Sequence, residues 1–286
     1  MRMLAALLAA LLAAGCAIDG VLEDERDDAF LGGKVEVVQR RIGHHRAGLE
    51  AVLLSAAIEP DFAGTVVDLG AGVGVAGMAI AARCPDANVI LVERDPEAVA
   101  CCREALVRPA NGGFAAHISV VVTDIAAPES ERAAAGLGRA IADAVVMNPP
   151  FHEAEEGTAS PDHARAAAHV LTDAGLEPWL RAAASVLKPG GRLVIVFRAD
   201  GLDAVLAALA GRFGSAAILP IHPRAGLPAR RVLVDAVLGS RGPLRILPGL
   251  ALHHEGASTY LPAMEQILRH GASLSEAHPA WAKRGH

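Results

Sequence analysis

The sequence predicts an α/β fold, a doubly wound and mostly parallel seven-stranded sheet in which the last strand runs antiparallel. From Gly64 onward, short β-branched runs alternate with alanine-rich helical stretches, as in a parallel sheet covered on both faces. The final two runs, 216–219 and 231–238, are separated by a loop rich in Pro, Gly and Arg without a helix, so they should pair antiparallel. With 286 residues, 52% of them hydrophobic, the chain can bury one large core.

The individual elements follow one another in a regular order. Helices are expected where alanine and leucine dominate, and strands where Val and Ile cluster between turn residues. The predicted helices are 77–83, 97–107, 176–187 and 202–213, with an LKPGG turn at 187–191 before the fifth strand. The predicted strands are 65–68, 89–93, 118–123, 144–147 and 192–197, followed by the antiparallel pair.

The N-terminus is an apolar leader whose role the sequence leaves open. Its first 16 residues, MRMLAALLAALLAAGC, resemble a bacterial lipoprotein export signal. A mis-set translation start and an Ala/Leu helix packed on the body are the alternatives, and the run is too short to span a bilayer. We divide the chain into this leader (1–22), an N-terminal segment that is expected to cover a ligand site (23–62), the main α/β domain (63–246) and a small C-terminal extension (247–286).

The charge limits how the protein can bind nucleic acid, and the cysteine spacing argues against a metal site. A formal net charge of -6 is the wrong sign for holding nucleic acid by bulk electrostatics alone, so any such contact must be local. The four cysteines have neither disulfide nor zinc spacing, and we predict no metal site. The basic groups that offer a local contact, unless they are simply solvated faces, are Arg40 and Arg41, and Arg224, Arg230 and Arg231.

A glycine-rich turn follows the first predicted strand. Residues 66–77 read VVDLGAGVGVAG, and Gly70, Gly72 and Gly74 would let the backbone approach a ligand where a Cβ would collide. Asp68 at the strand end can orient a positive group, such as a sulfonium cofactor with its amino-acid tail. The DxGxGxG pattern resembles the methyltransferase fingerprint, and the alternative is a dinucleotide enzyme, because GxGxxG is also present.

Two further carboxylates end the next two strands. Glu93 can accept hydrogen bonds from ribose hydroxyls, and Asp124 is placed to meet the adenine amino group of the same cofactor. One ligand, S-adenosylmethionine, therefore explains three acids at three consecutive strand ends. Their common position fits the rule that open α/β sheets bind ligands at the carboxyl edge.

The fourth strand ends in VVMNPPF, which is the most specific signal in the chain. The lone pair of an exocyclic base amine is delocalised into the ring, so both of its hydrogens must be held before it becomes a good nucleophile. The Asn148 amide oxygen and the Pro149 carbonyl can each accept one of them, and Pro150 stiffens the loop. Phe151 offers a ring on which the base can stack. The alternative is a proline-rich strand exit with a buried Asn.

Together with these motifs, several flanking segments resemble the bacterial tRNA(Val) adenine-N6 methyltransferases, a class I, Rossmann-like family that modifies the adenine beside the anticodon. The resemblance implies that Gln39, Arg46 and Gly48 help form the donor pocket, and Asn148 is assigned to both the donor and the acceptor site. One departure is Glu50, where the family usually carries Asp. The segments that carry the resemblance are DAFLGGKVEVVQ (28–39), HRAGLEAVLL (45–54), SPDHARAAAH (160–169), HPRAGLPARRVLV (222–234) and YLPAMEQILR (260–269).

Other acceptors remain possible by the same chemistry. An NPPF-type clamp also serves the guanine amine of ribosomal RNA and the glutamine amide of a release factor, and a donor-binding protein without catalysis is a further alternative. The resemblance favours tRNA, and we expect a cytoplasmic monomer. The chain has one tyrosine and two tryptophans, so broad base stacking is not expected and recognition should depend on RNA shape and local arginines.

Overall fold

The computed structural model describes residues 25–40, 48–150, 175–256 and 258–282, so the leader and residues 151–174 lie outside the described part. The strands are β1 Glu25–Phe30, β2 Val35–Arg40, β3 Gly64–Leu69, β4 Ala87–Glu93, β5 Ile118–Val122, β6 Ala142–Met147, β7 Leu187–Arg198, β8 Phe213–Arg224, β9 Arg231–Leu238, β10 Arg245–Ile246 and β11 Leu250–His253. The helices are α1 Leu49–Ala56, α2 Val75–Arg83, α3 Pro96–Leu106, α4 Glu129–Ala134, α5 Glu177–Val186, α6 Leu202–Leu209, α7 Pro262–Glu265, α8 Leu274–Ala277 and α9 Pro279–Ala282.

Strands β3 to β9 form the predicted sheet. Their order is β8-β9-β7-β6-β3-β4-β5, and the chain crosses over after β5, which makes the sheet doubly wound. Strands β3 to β7 run parallel, whereas β9 is antiparallel to both β7 and β8. The predicted fold class, including the antiparallel last strand, is confirmed.

Helices cover both faces of the sheet because consecutive residues of the central strands are apolar and point to opposite faces. Val66 of β3 and Ala144 of β6 join a core with α1, α2 and α3, whereas Val67 and Val145 join a second core with α5 and α6. A strand buried on both sides needs such a continuous hydrophobic run. Within the described residues, no helix is long and apolar enough to cross a membrane.

The predicted strand count of seven is too low, because two short strands after β9 join the same sheet, β10 at the end of the main domain and β11 in the C-terminal extension. Strands β10 and β11 both pair parallel with β8, at Arg245 to Ala217 and at Leu250 to Ile221. A long outer strand leaves a row of backbone N–H and C=O groups unpaired, and these two strands supply partners for them. Short strands of two and four residues leave too little pattern in the sequence to be predicted.

Three predicted boundaries are also wrong. The LKPGG segment is not a turn before β7 but an irregularity within it, since Ala142 pairs with Leu187 and Ala144 with Arg192. Helix α6 ends at Leu209 rather than at 213, and Gly211, with φ of 77°, turns the chain into β8. Strand β8 starts earlier and continues to Arg224, so the loop before β9 is shorter than predicted.

The N-terminal hairpin β1–β2 is a separate two-stranded sheet that contacts α2 and α3. The buried side chain of Asn111 ties it to the end of α3. Its Oδ1 accepts from the Glu36 backbone N–H at 3.0 Å, and its Nδ2 donates to the carbonyls of Glu36 and Ala105. The hairpin is therefore fixed against the helices that begin near the carboxyl edge of β3 and β4.

Candidate active site at the carboxyl edge of the sheet

The strand register places the glycine turn and the Asn-Pro-Pro turn on the same rim. Leu69, the last residue of β3, pairs with Val92 of β4 on one side and with Met147 of β6 on the other. Adjacent strands are about 4.8 Å apart. Gly70 and Asn148 therefore leave neighbouring strands at one level, which is the arrangement that a methyl donor and an acceptor amine require.

The glycine turn combines left-handed backbone with close packing. Gly70, Gly72 and Gly74 have φ of 71°, 56° and 88°, a region that L side chains rarely adopt. A Cβ on Gly70 would lie 2.5 Å from the ring of Trp179, whereas a Cβ on Gly72 would meet nothing within 4 Å. The backbone at Gly72 is thus open to a ligand, while Gly70 and Gly74 allow tight contacts with the protein itself.

Asp68 anchors this turn to helix α2. Its Oδ2 accepts a hydrogen bond from the Gly77 backbone N–H at 2.9 Å, which satisfies one of the free donors in the first turn of the helix. Burial raises the pKa of Asp68 from 3.8 to about 7; the bond from Gly77 opposes this shift and the nearby Glu93 adds to it. The carboxyl therefore changes charge near neutral pH.

Gly77 is required by packing rather than by backbone conformation. A Cβ there would lie 2.2 Å from Cδ2 of Leu91 and 3.0 Å from Cγ1 of Val89, both on β4. We expect Gly77→Ala to lower the free energy of unfolding by about 1 to 3 kcal/mol through overpacking, as measured by urea denaturation. The matched control is Gly113→Ala, where a Cβ meets nothing within 4 Å; equal losses in the two variants would contradict the explanation.

Glu93 is held by three backbone N–H groups at the end of β4. Its Oε2 accepts from Gly72 at 2.8 Å, and its Oε1 accepts from Arg94 at 2.8 Å and from Asp95 at 2.9 Å. These bonds fix the carboxylate against the glycine turn. A carboxylate oxygen has two lone pairs, so Oε2, which accepts one bond within the protein, can accept another from a ligand.

Asp124 follows β5 on the same rim and forms an ion pair with Arg94, at 2.9 Å between Oδ2 and Nη1. Partial burial alone would raise the pKa of Asp124, but the bonds from the Ala126 N–H and from Arg94 outweigh it and lower the pKa. Arg94 was missed in the sequence analysis, although a cation directly after a strand-end carboxylate was a signal. It links the ends of β4 and β5 through its backbone and its side chain.

Asn148 has an unsatisfied acceptor. Its Oδ1 is buried and has no hydrogen-bond partner in the described part of the chain, and the following Pro149 is buried as well. A buried polar atom without a partner costs about 1 to 3 kcal/mol. Such an oxygen, on the rim beside the glycine turn, is preset to accept a bond from a bound N–H group.

The remaining predicted donor-site residues are not brought to this rim by any described contact. Gln39 is buried in the hairpin, where its Nε2 donates to Asp28 Oδ2 at 3.0 Å. Gly48 precedes helix α1, and its carbonyl accepts from the Val52 N–H. Arg46 and Phe151, like Arg41, lie outside the described residues.

Of the basic residues around β8 and β9, one forms an ion pair with the N-terminal segment and two are exposed. Arg231 at the start of β9 donates from Nε to Glu50 Oε1 of α1 at 3.1 Å, so it connects the sheet edge to the N-terminal segment. This contact gives Glu50, the departure from the family pattern, a structural partner. Arg224 and Arg230 are exposed at the carboxyl edge, and nothing is described of the Arg40 side chain.

Comparison with known proteins agrees with this geometry. Residues 45–219 match the methyltransferase small domain family. A solved predicted O-methyltransferase from Agrobacterium tumefaciens is 34% identical, with a TM-score of 0.68, over 79% of this chain and 98% of that one. The tRNA1(Val) (adenine(37)-N6)-methyltransferases of two Porphyromonas gingivalis strains are 32% and 30% identical over 55% and 66% of this chain, which spans 60% and 73% of their lengths.

This chain is also similar to methyltransferases whose names give other methyl acceptors. The release factor glutamine methyltransferase of Cereibacter sphaeroides is 30% identical over 65% of this chain and 63% of its own. The ribosomal RNA large subunit methyltransferase G of Streptomyces avermitilis is 32% identical over 46% of this chain and 28% of its own. The comparisons confirm the predicted family and the cofactor S-adenosylmethionine, and they leave the acceptor to be argued from the site.

Proposed function

Because the chain belongs to the methyltransferase small domain family, we propose that it methylates the exocyclic N6 amine of an adenine in tRNA, beside the anticodon of tRNA(Val). The observation that carries the proposal is the buried Oδ1 of Asn148, which has no hydrogen-bond partner among the residues that the structure describes and lies one strand away from the glycine turn. The similarity to the Porphyromonas gingivalis tRNA methyltransferases supports adenine N6 as the acceptor.

The residues at the rim fit S-adenosylmethionine. The open backbone at Gly72, the carboxylate of Glu93 fixed beside it and the ionisable Asp68 are suited to a ligand with ribose hydroxyls and positive charge. S-adenosylmethionine supplies a methyl group on a sulfonium, which is a good leaving group. The residues that would hold it are Asp68, Gly70, Gly72, Gly74, Glu93 and Asp124, together with Gln39, Arg46 and Gly48 from the N-terminal segment.

The acceptor amine would be activated by hydrogen bonding rather than by a strong base. Asn148 Oδ1 and the Pro149 carbonyl would each accept one amine hydrogen, which draws the nitrogen toward a tetrahedral shape and directs its lone pair outward. Because the Asn148 oxygen is buried and has no partner among the described residues, binding the amine would offset the desolvation cost of that oxygen. As the new N–C bond forms and the methyl–sulfur bond breaks, the nitrogen would become cationic and then release one proton to solvent.

Phe151 is proposed as the surface on which the target base stacks. We expect Phe151→Ala to lower activity with RNA by about tenfold or more, because stacking on one aromatic ring contributes about 1 to 3 kcal/mol. Phe151→Tyr should retain most activity, since the ring is kept. Initial rates at several RNA concentrations would measure both, and equal activity of the Ala variant and the unmodified protein would contradict the assignment.

The acceptor class is tested by direct labelling. The protein would be incubated with methyl-labelled S-adenosylmethionine and either total RNA or total protein from a strain that lacks the gene, followed by nucleoside analysis of the labelled fraction. We expect label in tRNA as N6-methyladenine. Label in protein glutamine or in guanine of ribosomal RNA would replace the proposal by one of those acceptors.

A further inference from the structure

A buried cysteine of helix α3 holds the middle glycine of the turn after β3. The Sγ of Cys102 lies 3.1 Å from the carbonyl oxygen of Gly72. The Cys102 side chain is fully buried, and burial first, then the nearby Asp68 and Glu93, raise the pKa of its thiol. The sulfur therefore keeps its proton near neutral pH, so the thiol donates the hydrogen bond and the carbonyl accepts it.

The backbone of Gly72 is held from two directions. Its N–H donates to Glu93 Oε2 at 2.8 Å, and its carbonyl accepts from the Cys102 thiol. Glu93 ends β4 at the rim, whereas Cys102 belongs to the core behind the turn. Glycine is the most permissive residue, so a ligand that needs one conformation of Gly72 benefits from both restraints. Sequence reasoning assigned the restraint by Glu93 no role and did not find Cys102.

The bond from Cys102 also orients the N–H group that follows. In a trans peptide the C=O and N–H bonds point in opposite directions, and the described residues contain no cis peptide. Because the Gly72 carbonyl faces α3, the N–H of Val73 faces away from α3. This N–H donates to no backbone carbonyl in the described part of the chain. The turn therefore offers a backbone donor whose direction is set by the buried thiol.

The Cys102 side chain touches the turn at a second glycine. A Cβ on Gly74 would lie 3.1 Å from Cys102 Sγ and 2.9 Å from Cδ1 of Leu91. Gly74 is the residue from which helix α2 begins, and its φ is 88°. The thiol thus packs against one end of the Gly72–Gly74 segment and hydrogen-bonds to the other, so its loss acts directly on the turn.

Cys84 provides a comparison within the same protein. It is also fully buried, it belongs to the same core, and its Sγ donates to the Glu59 carbonyl at 3.2 Å. Burial raises the pKa of its thiol to about 11. Cys84 lies between the end of α2 and the start of β4, at the amino edge of the sheet. The two cysteines make the same kind of bond, and only the acceptor of Cys102 belongs to the glycine turn.

We propose that Cys102 is a positioning residue for the methyl donor, and that its thiol presets the Gly72 carbonyl before S-adenosylmethionine binds. It acts through the backbone and not on the reacting atoms. A turn that is ordered in advance loses less conformational freedom on binding, which increases affinity. This inference rests on the proposed function for the placement of S-adenosylmethionine at the turn, and it does not depend on which amine is methylated.

The test is donor binding by the full chain without any acceptor. The Kd of S-adenosylmethionine is measured by isothermal titration calorimetry for the unmodified protein, Cys102→Ala and Cys102→Ser. We expect Cys102→Ala to raise the Kd about three- to tenfold, because one hydrogen bond that presets the turn is lost. Cys102→Ser should stay within about twofold, since its hydroxyl can donate to the same carbonyl. An unchanged Kd for Cys102→Ala, or equal weakening in the two variants, would overturn the proposal.

The matched control is Cys84→Ala, which removes an equally buried thiol and an equivalent hydrogen bond away from the turn. We expect its urea midpoint to fall about as far as that of Cys102→Ala, while its Kd for the donor stays within about twofold. Equally weakened donor binding in this control would show that loss of core packing alone explains the effect, and would overturn the proposal.

A further variant keeps the inference testable if Cys102→Ala does not fold. Cys102→Val fills the space of the thiol with apolar atoms and cannot donate to the Gly72 carbonyl. We expect it to weaken donor binding about as much as Cys102→Ala would. An unmodified Kd in a folded Cys102→Val protein would contradict the role of the thiol.

The two proposals fail in different ways. Donor binding that depends on Cys102, with methyl transfer to an acceptor other than adenine, would refute the proposed function and leave the role of Cys102 standing. Adenine methylation with donor binding that is indifferent to Cys102 would do the reverse. No measurable binding of S-adenosylmethionine to the unmodified protein would overturn both.

Discussion

Asn148→Ala is expected to reduce turnover by about 100- to 1000-fold while the affinity for S-adenosylmethionine, measured by calorimetry, stays within several-fold. The Asn148 oxygen has no hydrogen-bond partner in the described residues, so its proposed use is with the acceptor amine. Loss of one preset hydrogen-bonding group around a reacting atom costs about 2.7 to 4 kcal/mol in other enzymes. Parallel loss of donor affinity would assign Asn148 to the donor instead.

The same substitution should not destabilise the fold, which separates a functional from a structural asparagine. Asn148→Ala removes a buried acceptor that is unsatisfied, whereas Asn111→Ala removes an amide that makes three hydrogen bonds between the hairpin and α3. We expect the free energy of unfolding to fall by several kcal/mol only in the second variant. Asn148→Asp, which keeps an acceptor oxygen, should retain more turnover than Asn148→Ala.

Asp68→Asn is expected to change how stability depends on pH. The pKa of Asp68 is about 7 in the folded protein and near 3.8 when the group is exposed on unfolding. Between these values the folded state binds the additional proton, so raising the pH lowers the free energy of unfolding by about 1.4 kcal/mol per pH unit. This contribution is fully present below pH 3.8 and is lost as the pH rises through 7.

Asparagine keeps an acceptor for the Gly77 N–H and cannot ionise, so the variant lacks this slope. Urea denaturation of both proteins from pH 4.5 to 7.5 measures the difference, in which the other titrating groups cancel. The groups that face Asp68 are Glu93, which raises its pKa, and Cys102, whose own pKa is raised by burial first and by Asp68 and Glu93 next. Parallel stability curves would show that Asp68 is already ionised in the folded protein.

The sheet and its rim were predictable because their signals are local. A β-branched run followed by DxGxGxG identifies β3 and its turn, and the parallel order then places Glu93, Asp124 and Asn148 at one edge. Long-range contacts could not be predicted in this way. The packing of Trp179 under Gly70 and the pairing of Arg231 with Glu50 join residues more than 100 positions apart, and no short pattern encodes them.

The three glycines of the turn show most clearly what the sequence pattern cannot predict. From the sequence, Gly70, Gly72 and Gly74 were equivalent, each leaving room for a ligand. The structure distinguishes them, since a Cβ at Gly74 would meet Leu91 and Cys102, and only at Gly72 does the space remain open. Which glycine faces a ligand depends on what the neighbouring strands and helices bring against each one.

The two short strands that pair with β8 also affect how the protein behaves in concentrated solution. Without β10 and β11, the twelve-residue β8 would be a long terminal strand with unpaired backbone groups, able to recruit the same strand of a second molecule. At the opposite margin, β5 has only five residues, too few for extensive pairing. Strands β10 and β11 therefore occupy the edge along which such recruitment would occur.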